Sequence, residues 1–233
     1  SIGDGAISLH NEQGVPLRSL GAGSSRLLIA GLQRAAAGTA TIALVDEVEY
    51  GLEPNRLVRL LDSLGAKDAS QPLQVFMTSH SPVALRELSG DQGFVVRLAA
   101  DHHDVQAVGT ADDVQGTLRA DPEAFLARSV IVCEGASEVG FARGLDQFWV
   151  SQNDPSFFAR GGAYVDAKGG SPDNCYSRGA ALLKLGYRVL ALADADQPPT
   201  PAIVAAFRAA GGQSLTWRAN RTLEDELFHS LCD

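Results

Sequence analysis

The sequence predicts an α/β protein built on mostly parallel sheets, with two units in one chain of 233 residues. Two observations carry this. Short apolar runs, Ser129–Cys133 and Arg188–Ala193, stop abruptly at carboxylates, Glu134 in one case and Asp194 with Asp196 in the other. Uninterrupted runs of about five residues, rich in β-branched side chains, have the pattern of strands buried on both faces. After the first run, Ser137–Trp149 carries Val139, Phe141, Leu145, Phe148 and Trp149 at roughly helical spacing. In an open parallel sheet the carboxyl ends of the strands share one rim, and ligands bind there. Glu134, Asp194 and Asp196 are expected to converge on that rim, with Glu138 one helical turn above Glu134.

Composition sets bounds. Hydrophobic content of 45% and charged content of 20% are ordinary for a soluble globular chain. The net charge of −9 gives no overall basic field and counts against a simple DNA-binding module. It does not exclude a nuclease, in which metal ions supply local positive charge. The three cysteines, Cys133, Cys175 and Cys232, form no close pair, which favours a reducing, cytoplasmic setting. No apolar run approaches the ~18 residues of a membrane span, so no membrane partner is expected. The first residue is Ser1 rather than Met, as expected of a fragment.

In chain order, Ala6–Leu9 reads as a short strand, and Ser19–Arg26, rich in small residues, leads into a helical pattern over Leu27–Ala37. Backbone N–H groups at such a helix mouth can hold an anion, although glycine-rich helix starts are common. Thr41–Val45 is a buried-strand pattern ending in Asp46 and Glu47, followed by Gly51–Pro54 and a helix over Asn55–Leu64. A second strand, Leu73–Met77, ends at Thr78-Ser-His80-Ser-Pro82. Asp46, Glu47 and His80 thereby fall on one rim. Aspartate there suits Mg²⁺, glutamate suits activation of water, and histidine suits a phosphate contact. No Gly-x4-Gly-Lys-Ser/Thr phosphate cradle occurs in the sequence.

Gly93–Leu98 reads as the last strand of a first domain spanning 1–100, and the polar stretch 101–128 as a linker that ends in a helix start capped by Asp121. Adjacent His102 and His103 are more simply solvated than metal-bound. In the second domain, 129–233, Ala163–Val165 is a strand ending at Asp166. Lys168 lies in the glycine-rich turn that follows, which reads equally well as an ordinary βα turn and as one that offers a lysine to a DNA phosphate. Helices are expected over Pro172–Leu185, Pro198–Ala210 and Leu223–Leu231, the last opened by a capping box at Thr222-Leu-Glu-Asp225, with a strand at Leu215–Trp217.

Carboxylates gathered on one rim repel unless a cation intervenes, and oxygen-only ligands suit Mg²⁺ or Mn²⁺ rather than zinc. Taken singly, Glu134 or Asp194 is as well explained as a helix cap; taken together, they are not.

Val130-Ile-Val-Cys-Glu134-Gly-Ala-Ser-Glu138, followed by Leu190-Ala-Leu-Ala-Asp194-Ala-Asp196, resembles a Toprim domain. Leu20–Arg26, Asp46-Glu47, Gly51–Pro54 and Thr78–Pro82 resemble, in that order, the second half of an ABC-type ATPase head. By that resemblance Gly21, Gly23 and Ser24 belong to the nucleotide-contacting signature segment, Asp46 is the Mg²⁺-associated aspartate, Glu47 the catalytic base and His80 the switch residue. Gly21 departs from the usual signature serine. Without a phosphate cradle this half is not expected to hydrolyse ATP alone, as if the N-terminal part of a larger protein were missing.

The pairing of the two is similar to the OLD (overcoming lysogenization defect) family. The resemblance implies a Mg²⁺- or Mn²⁺-dependent, two-metal DNA endonuclease that dimerises, is linked to ATP in the intact protein, and acts in phage defence. Its implied ligands are Glu134, Glu138, Asp194 and Asp196, then Asp166, with Glu224 a weaker candidate that capping explains equally well. The alternatives are a DNA-repair-type ATPase head with a structural second domain, or another Toprim enzyme such as a primase or an RNA-processing nuclease.

Overall fold

The computed structural model describes residues 10, 12–35, 42–67 and 74–231. The expected strand Ala6–Leu9, residue Thr41 and Cys232 lie outside them. The chain divides into two compact units, Ser1–Leu88 and Ser89–Asp233.

In the first unit, helix α1 (Ala22–Ala35) precedes strand β1 (Ile42–Val45), helix α2 (Pro54–Ser63), strand β2 (Gln74–Met77) and helix α3 (Pro82–Glu87). Proline at the first positions of α2 and α3 fits where the missing N–H has no helical partner anyway. The two strands are parallel, Ile42 opposite Gln74 and Val45 opposite Met77. One face of the pair packs Val45, Val75 and Met77 towards Leu57, Leu60 and Leu61, and Ala43 is buried as well. The opposite face leaves Ile42, Leu44 and Phe76 exposed, Leu44 to 78%.

The second unit holds a parallel sheet of four strands in the order β6-β5-β7-β8, formed by β5 (Ser129–Cys133), β6 (Gly162–Asp166), β7 (Arg188–Ala193) and β8 (Gln213–Thr216). Alternation along β5 sends Val130 and Val132 into the main core with Cys175, Tyr176 and Leu182 of α7 (Pro172–Lys184) and Phe207 of α8 (Pro201–Ala209). Ile131 and Cys133 point the other way, towards Val139 and Ala142 of α6 (Ala136–Ser151). Helices thus cover both faces. Right-handed crossovers require this when the chain steps to one side of β5 for β6 and to the other for β7. Helix α9 (Leu223–Leu231) follows β8.

The expected linker over 101–128 is instead folded, and the expected boundary at residue 100 moves to Leu88. Strand β3 (Phe94–Leu98) pairs antiparallel with β4 (His103–Ala107), and α4 (Asp112–Ala120) and α5 (Glu123–Leu126) follow. The polar composition hid a short apolar set: Ala124, Phe125 and Ala127 join the main core, as does Val95 of β3. Arg97 stacks its guanidinium 4.2 Å from the Tyr187 ring. Asp121 does not cap α5: its carbonyl, not its side chain, accepts the Ala124 N–H. His102 pairs with Asp101, and His103 lies exposed in β4.

Phe207 is fully buried, edge-on to Tyr176 at 5.4 Å, and fills space that Gly179 and Gly212 leave open; a Cβ on either glycine would come within 2.7 Å of its ring. Phe207→Ala is expected to cost the second unit about 3–5 kcal/mol. The two tryptophans, Trp149 and Trp217, both lie in this unit, so the loss is read directly as a lower denaturation midpoint by intrinsic fluorescence in urea.

Candidate functional site

In the second unit, β5 and β7 are neighbours on either side of the point where the strand order reverses, with Cys133 opposite Leu192. The loops leaving the two strands diverge there and open the crevice in which α/β sheets bind ligands. Glu134 and Asp194 are the first residues beyond these strands. The Glu134 N–H extends the ladder to the Leu192 carbonyl at 2.9 Å, and the Glu134 carboxylate accepts the Asp194 N–H at 3.0 Å. Asp194 in turn accepts Trp217 Nε1–H at 2.8 Å and the Leu223 N–H at 3.0 Å on the same oxygen, Oδ1. Its loop is pinned by two reciprocal backbone bonds, Asn220 N–H to the Ala195 carbonyl and Ala195 N–H to the Arg221 carbonyl. Glu138, buried in the first turn of α6, accepts the Gly135 N–H at 2.8 Å.

Burial raises the pKa of Glu134, and the nearby charges of Asp194 and Asp196 raise it further, against the lowering effect of the Asp194 N–H. Burial likewise raises Glu138, with Asp194 and Glu134 adding to the effect. Burial raises the pKa of Asp194, its Trp217 and Leu223 donors lower it, and Asp196 and Glu224 raise it again, for a net rise. These carboxylates share one electrostatic neighbourhood.

They do not form one ligand shell. Among the described residues, no group of three or more His, Cys, Asp and Glu side chains lies close enough to hold a metal ion. Asp166, at the end of β6, is turned to its own loop: Oδ1 accepts the Lys168 N–H at 2.7 Å, and Lys168 Nζ lies 3.3 Å from Oδ2. Asp196 and Glu224 are exposed. The donor set nonetheless suits a hard divalent cation: it is all oxygen, and Glu134 and Asp194 are each anchored through a single oxygen.

In the first unit the rim is held by neutral donors and one arginine. The Thr78 hydroxyl donates to Asp46 and accepts the Glu47 N–H at 2.8 Å, while Arg26 donates to the Glu47 and Asp46 carbonyls and lies over the Tyr50 ring. Glu47 has φ +44, a left-handed conformation unusual outside glycine. Asp46, Glu47 and His80 are all exposed on this rim. The small-residue segment is not a loop before α1; its residues from Ala22 on form the helix's first turns. Gly23 has a packing reason to be glycine, since a Cβ would meet the Gly51 carbonyl at 2.7 Å. A Cβ on Gly21 would meet nothing within 4 Å, and Ser24 accepts Arg56 at 3.3 Å. A crevice of about 220 Å³ lined by Arg26, Leu44 and Asp46 adjoins the site.

Residues 5–86 match the family model described as an AAA domain, putative AbiEii toxin, type IV TA system. The first unit carries an AAA-type ATPase segment. The ATPase segment contains every residue singled out for nucleotide contact: Gly21, Gly23, Ser24, Asp46, Glu47 and His80. Such a domain uses nucleotide with Mg²⁺ in general. No match was found among curated proteins. Among the described residues, no helix is long and apolar enough to cross a membrane.

Two partners of these sites were not singled out in the sequence. Trp217 follows β8 and orients Asp194. Glu49 clamps the switch-like loop, accepting the His80 N–H at 2.6 Å and the Ser79 hydroxyl at 2.7 Å. Burial works against ionisation of Glu49, but those donors together hold its pKa below the usual carboxylate value. Glu49→Ala is expected to speed hydrogen–deuterium exchange at residues 78–81 while leaving β7 protected.

Glu134, Glu138 and Asp194 have folded-state pKa values above their unfolded ones. Their ionisation therefore costs stability at neutral pH, and the cost shrinks as pH falls through the raised values towards the ordinary carboxylate range. Glu134→Gln retains an oxygen for the Asp194 N–H and is expected to raise the melting temperature of the second unit at pH 7.5 but not at pH 4. Mg²⁺ or Mn²⁺ is expected to stabilise the wild type at pH 7.5, by about 2.7 kcal/mol at a hundred times its Kd, and to stabilise Glu134→Gln less. Thermal melts followed by tryptophan fluorescence check both.

Proposed function

We propose that the second unit is a Toprim-type, divalent-metal-dependent DNA endonuclease, attached in the intact protein to an ABC-type ATPase head as in the OLD family. One observation carries the reading: Glu134 and Asp194 emerge from adjacent parallel strands where the strand order reverses, and the Glu134 carboxylate accepts the Asp194 N–H at 3.0 Å. A helix cap alone does not call for two half-buried carboxylates from separate strands.

Glu134, Asp194 and Asp196 would hold Mg²⁺ or Mn²⁺, with Glu138 and Asp166 next and Glu224 at the margin. When bound, two such ions activate a water for attack on a DNA phosphodiester and stabilise the leaving oxygen. The protein's part is orientation. Trp217 and Leu223 fix Oδ1 of Asp194, the Asp194 N–H fixes Glu134, and the Gly135 N–H fixes Glu138.

In the first unit the sheet face carrying Ile42, Leu44 and Phe76 is apolar and exposed, whereas parallel strands are normally covered on both faces. This supports the reading of the ATPase segment as one half of a head, completed by a segment that brings the phosphate cradle. ATP, Asp46, Glu47 and His80 would then work together, and the intact protein would act as a homodimer on DNA in phage defence.

One observation favours a competing reading, an ATPase head with a structural second domain: the Glu138 carboxylate is already engaged by the Gly135 N–H, a contact that a cap explains. Nicking of supercoiled plasmid separates the two. Wild type is expected to nick with Mg²⁺ or Mn²⁺ and not with Ca²⁺, and Asp194→Ala to lose at least a hundredfold in rate. Equal nicking by Asp194→Ala would reject the nuclease assignment. Cleavage of RNA, or primer synthesis, in place of DNA nicking would reassign the unit to another Toprim activity.

A further inference from the structure

Lys168 has an unusual placement. It follows β6 in a turn whose next two residues are Gly169 and Gly170, and its own φ is +70. That conformation costs a residue with a side chain about 1 kcal/mol or more. Three bonds impose it: Lys168 N–H to Asp166 Oδ1 at 2.7 Å, Ala167 N–H to the Cys133 carbonyl at 2.9 Å, and Gly169 N–H to the Glu134 carbonyl at 2.7 Å. The turn is therefore tied to the end of β5 and to Glu134 itself.

The ammonium is held far more loosely than the backbone beneath it. Nζ lies 3.3 Å from Asp166 Oδ2, with the lysine side chain 57% exposed. An exposed pair of this kind is worth about 0–1 kcal/mol, so another anion can displace it. The guanidinium groups of this unit near the rim are committed: Arg178 donates to the Asp166 carbonyl, and Arg218 and Arg221 bind Glu226. The other two lysines serve elsewhere, Lys67 with Asp62 and Glu87 in the first unit and Lys184 in the last turn of α7.

We infer that Lys168 is the phosphate-contacting cation of this rim, parked on Asp166 and handed to a DNA phosphate when the strand binds. The inference rests on the nuclease reading. Asp166 presets the ammonium beside the acidic rim, and the phosphodiester replaces it as partner. A compact ammonium acts on phosphate as a point charge and needs no fixed fork geometry, which suits a handover between two anions. Lys168 binds the DNA strand directly and performs no proton transfer.

Binding of a fluorescein-labelled 20-base-pair duplex, measured by polarisation in Ca²⁺ over a series of KCl concentrations, tests this without turnover. Lys168→Met is expected to weaken binding several-fold at low salt and to lower the slope of log Kd against log salt by about 0.9; Lys168→Arg keeps the wild-type slope. Lys168→Gly, which the left-handed backbone favours, preserves the turn while removing the ammonium and must behave as Lys168→Met. If Lys168→Met and Lys168→Gly keep the wild-type affinity and slope, the inference is overturned and the nuclease reading stands. If the wild type binds no DNA, both fall.

Discussion

A parallel sheet delivers its strand ends to one edge regardless of the charge those ends carry, and in the second unit this brings acids together. The last rungs between β5 and β7 show how. The Glu134 N–H takes the Leu192 carbonyl, but the Glu134 carbonyl is turned to the Gly169 N–H on the other side. The Asp194 N–H is left to the Glu134 side chain. A carboxylate thus completes the ladder where a carbonyl would ordinarily do so. Burial and neighbouring charge then raise the pKa of both acids. The strands come together for hydrophobic reasons, since Val130, Val132, Val189 and Ala191 are buried, and the electrostatic strain at the rim follows from that packing.

The first unit meets a similar topological demand differently. Its strand-end residues Asp46 and Glu47 are exposed to water; the Thr78 hydroxyl donates to the Asp46 carboxylate, while Arg26 and Thr78 hold the backbone of the pair rather than the Glu47 carboxylate. Its tight spot is steric: the Gly51 carbonyl presses against the first turn of α1 where Gly23 has no Cβ. A glycine read as a nucleotide contact thus also has a packing role, and either role alone would account for its presence.

The strands and helices of both units were legible because their periodicity is strong and their ends are punctuated by carboxylates, glycine and proline. The capping box at Thr222 and Asp225 forms as the sequence implies, and Ser171 caps α7. What stayed hidden has physical causes. The stretch 101–128 reads as polar because only a few of its residues face the core and because β4 is exposed along nearly all its length. The bonding of Asp166 to Lys168 depends on a left-handed backbone that no spacing rule anticipates. Trp217 is different, for the rule was in hand: β8 is parallel, so the residue after it falls on the same rim as Glu134 and Asp194. A tryptophan there supplies a lone N–H donor on a rigid ring, suited to orienting one carboxylate oxygen.

Glu138 carries the argument about what the rim is for. As a cap it accepts the Gly135 N–H, and that contact by itself lowers a carboxylate's pKa. The net shift is nevertheless upward, because burial and the charges of Asp194 and Glu134 outweigh the cap. Glutamine at this position would accept the same N–H without placing a third negative charge beside the other two. The charge gains from the dipole of α6, in whose first turn it sits, and loses by burial beside Asp194 and Glu134; under the proposed nuclease reading it also attracts a divalent cation to the end of β5. Glu138 thus satisfies the local rule for a helix start while its burial beside Glu134 and Asp194 carries an electrostatic cost, the kind of conflict between local and tertiary demands that marks a crevice worth testing for function.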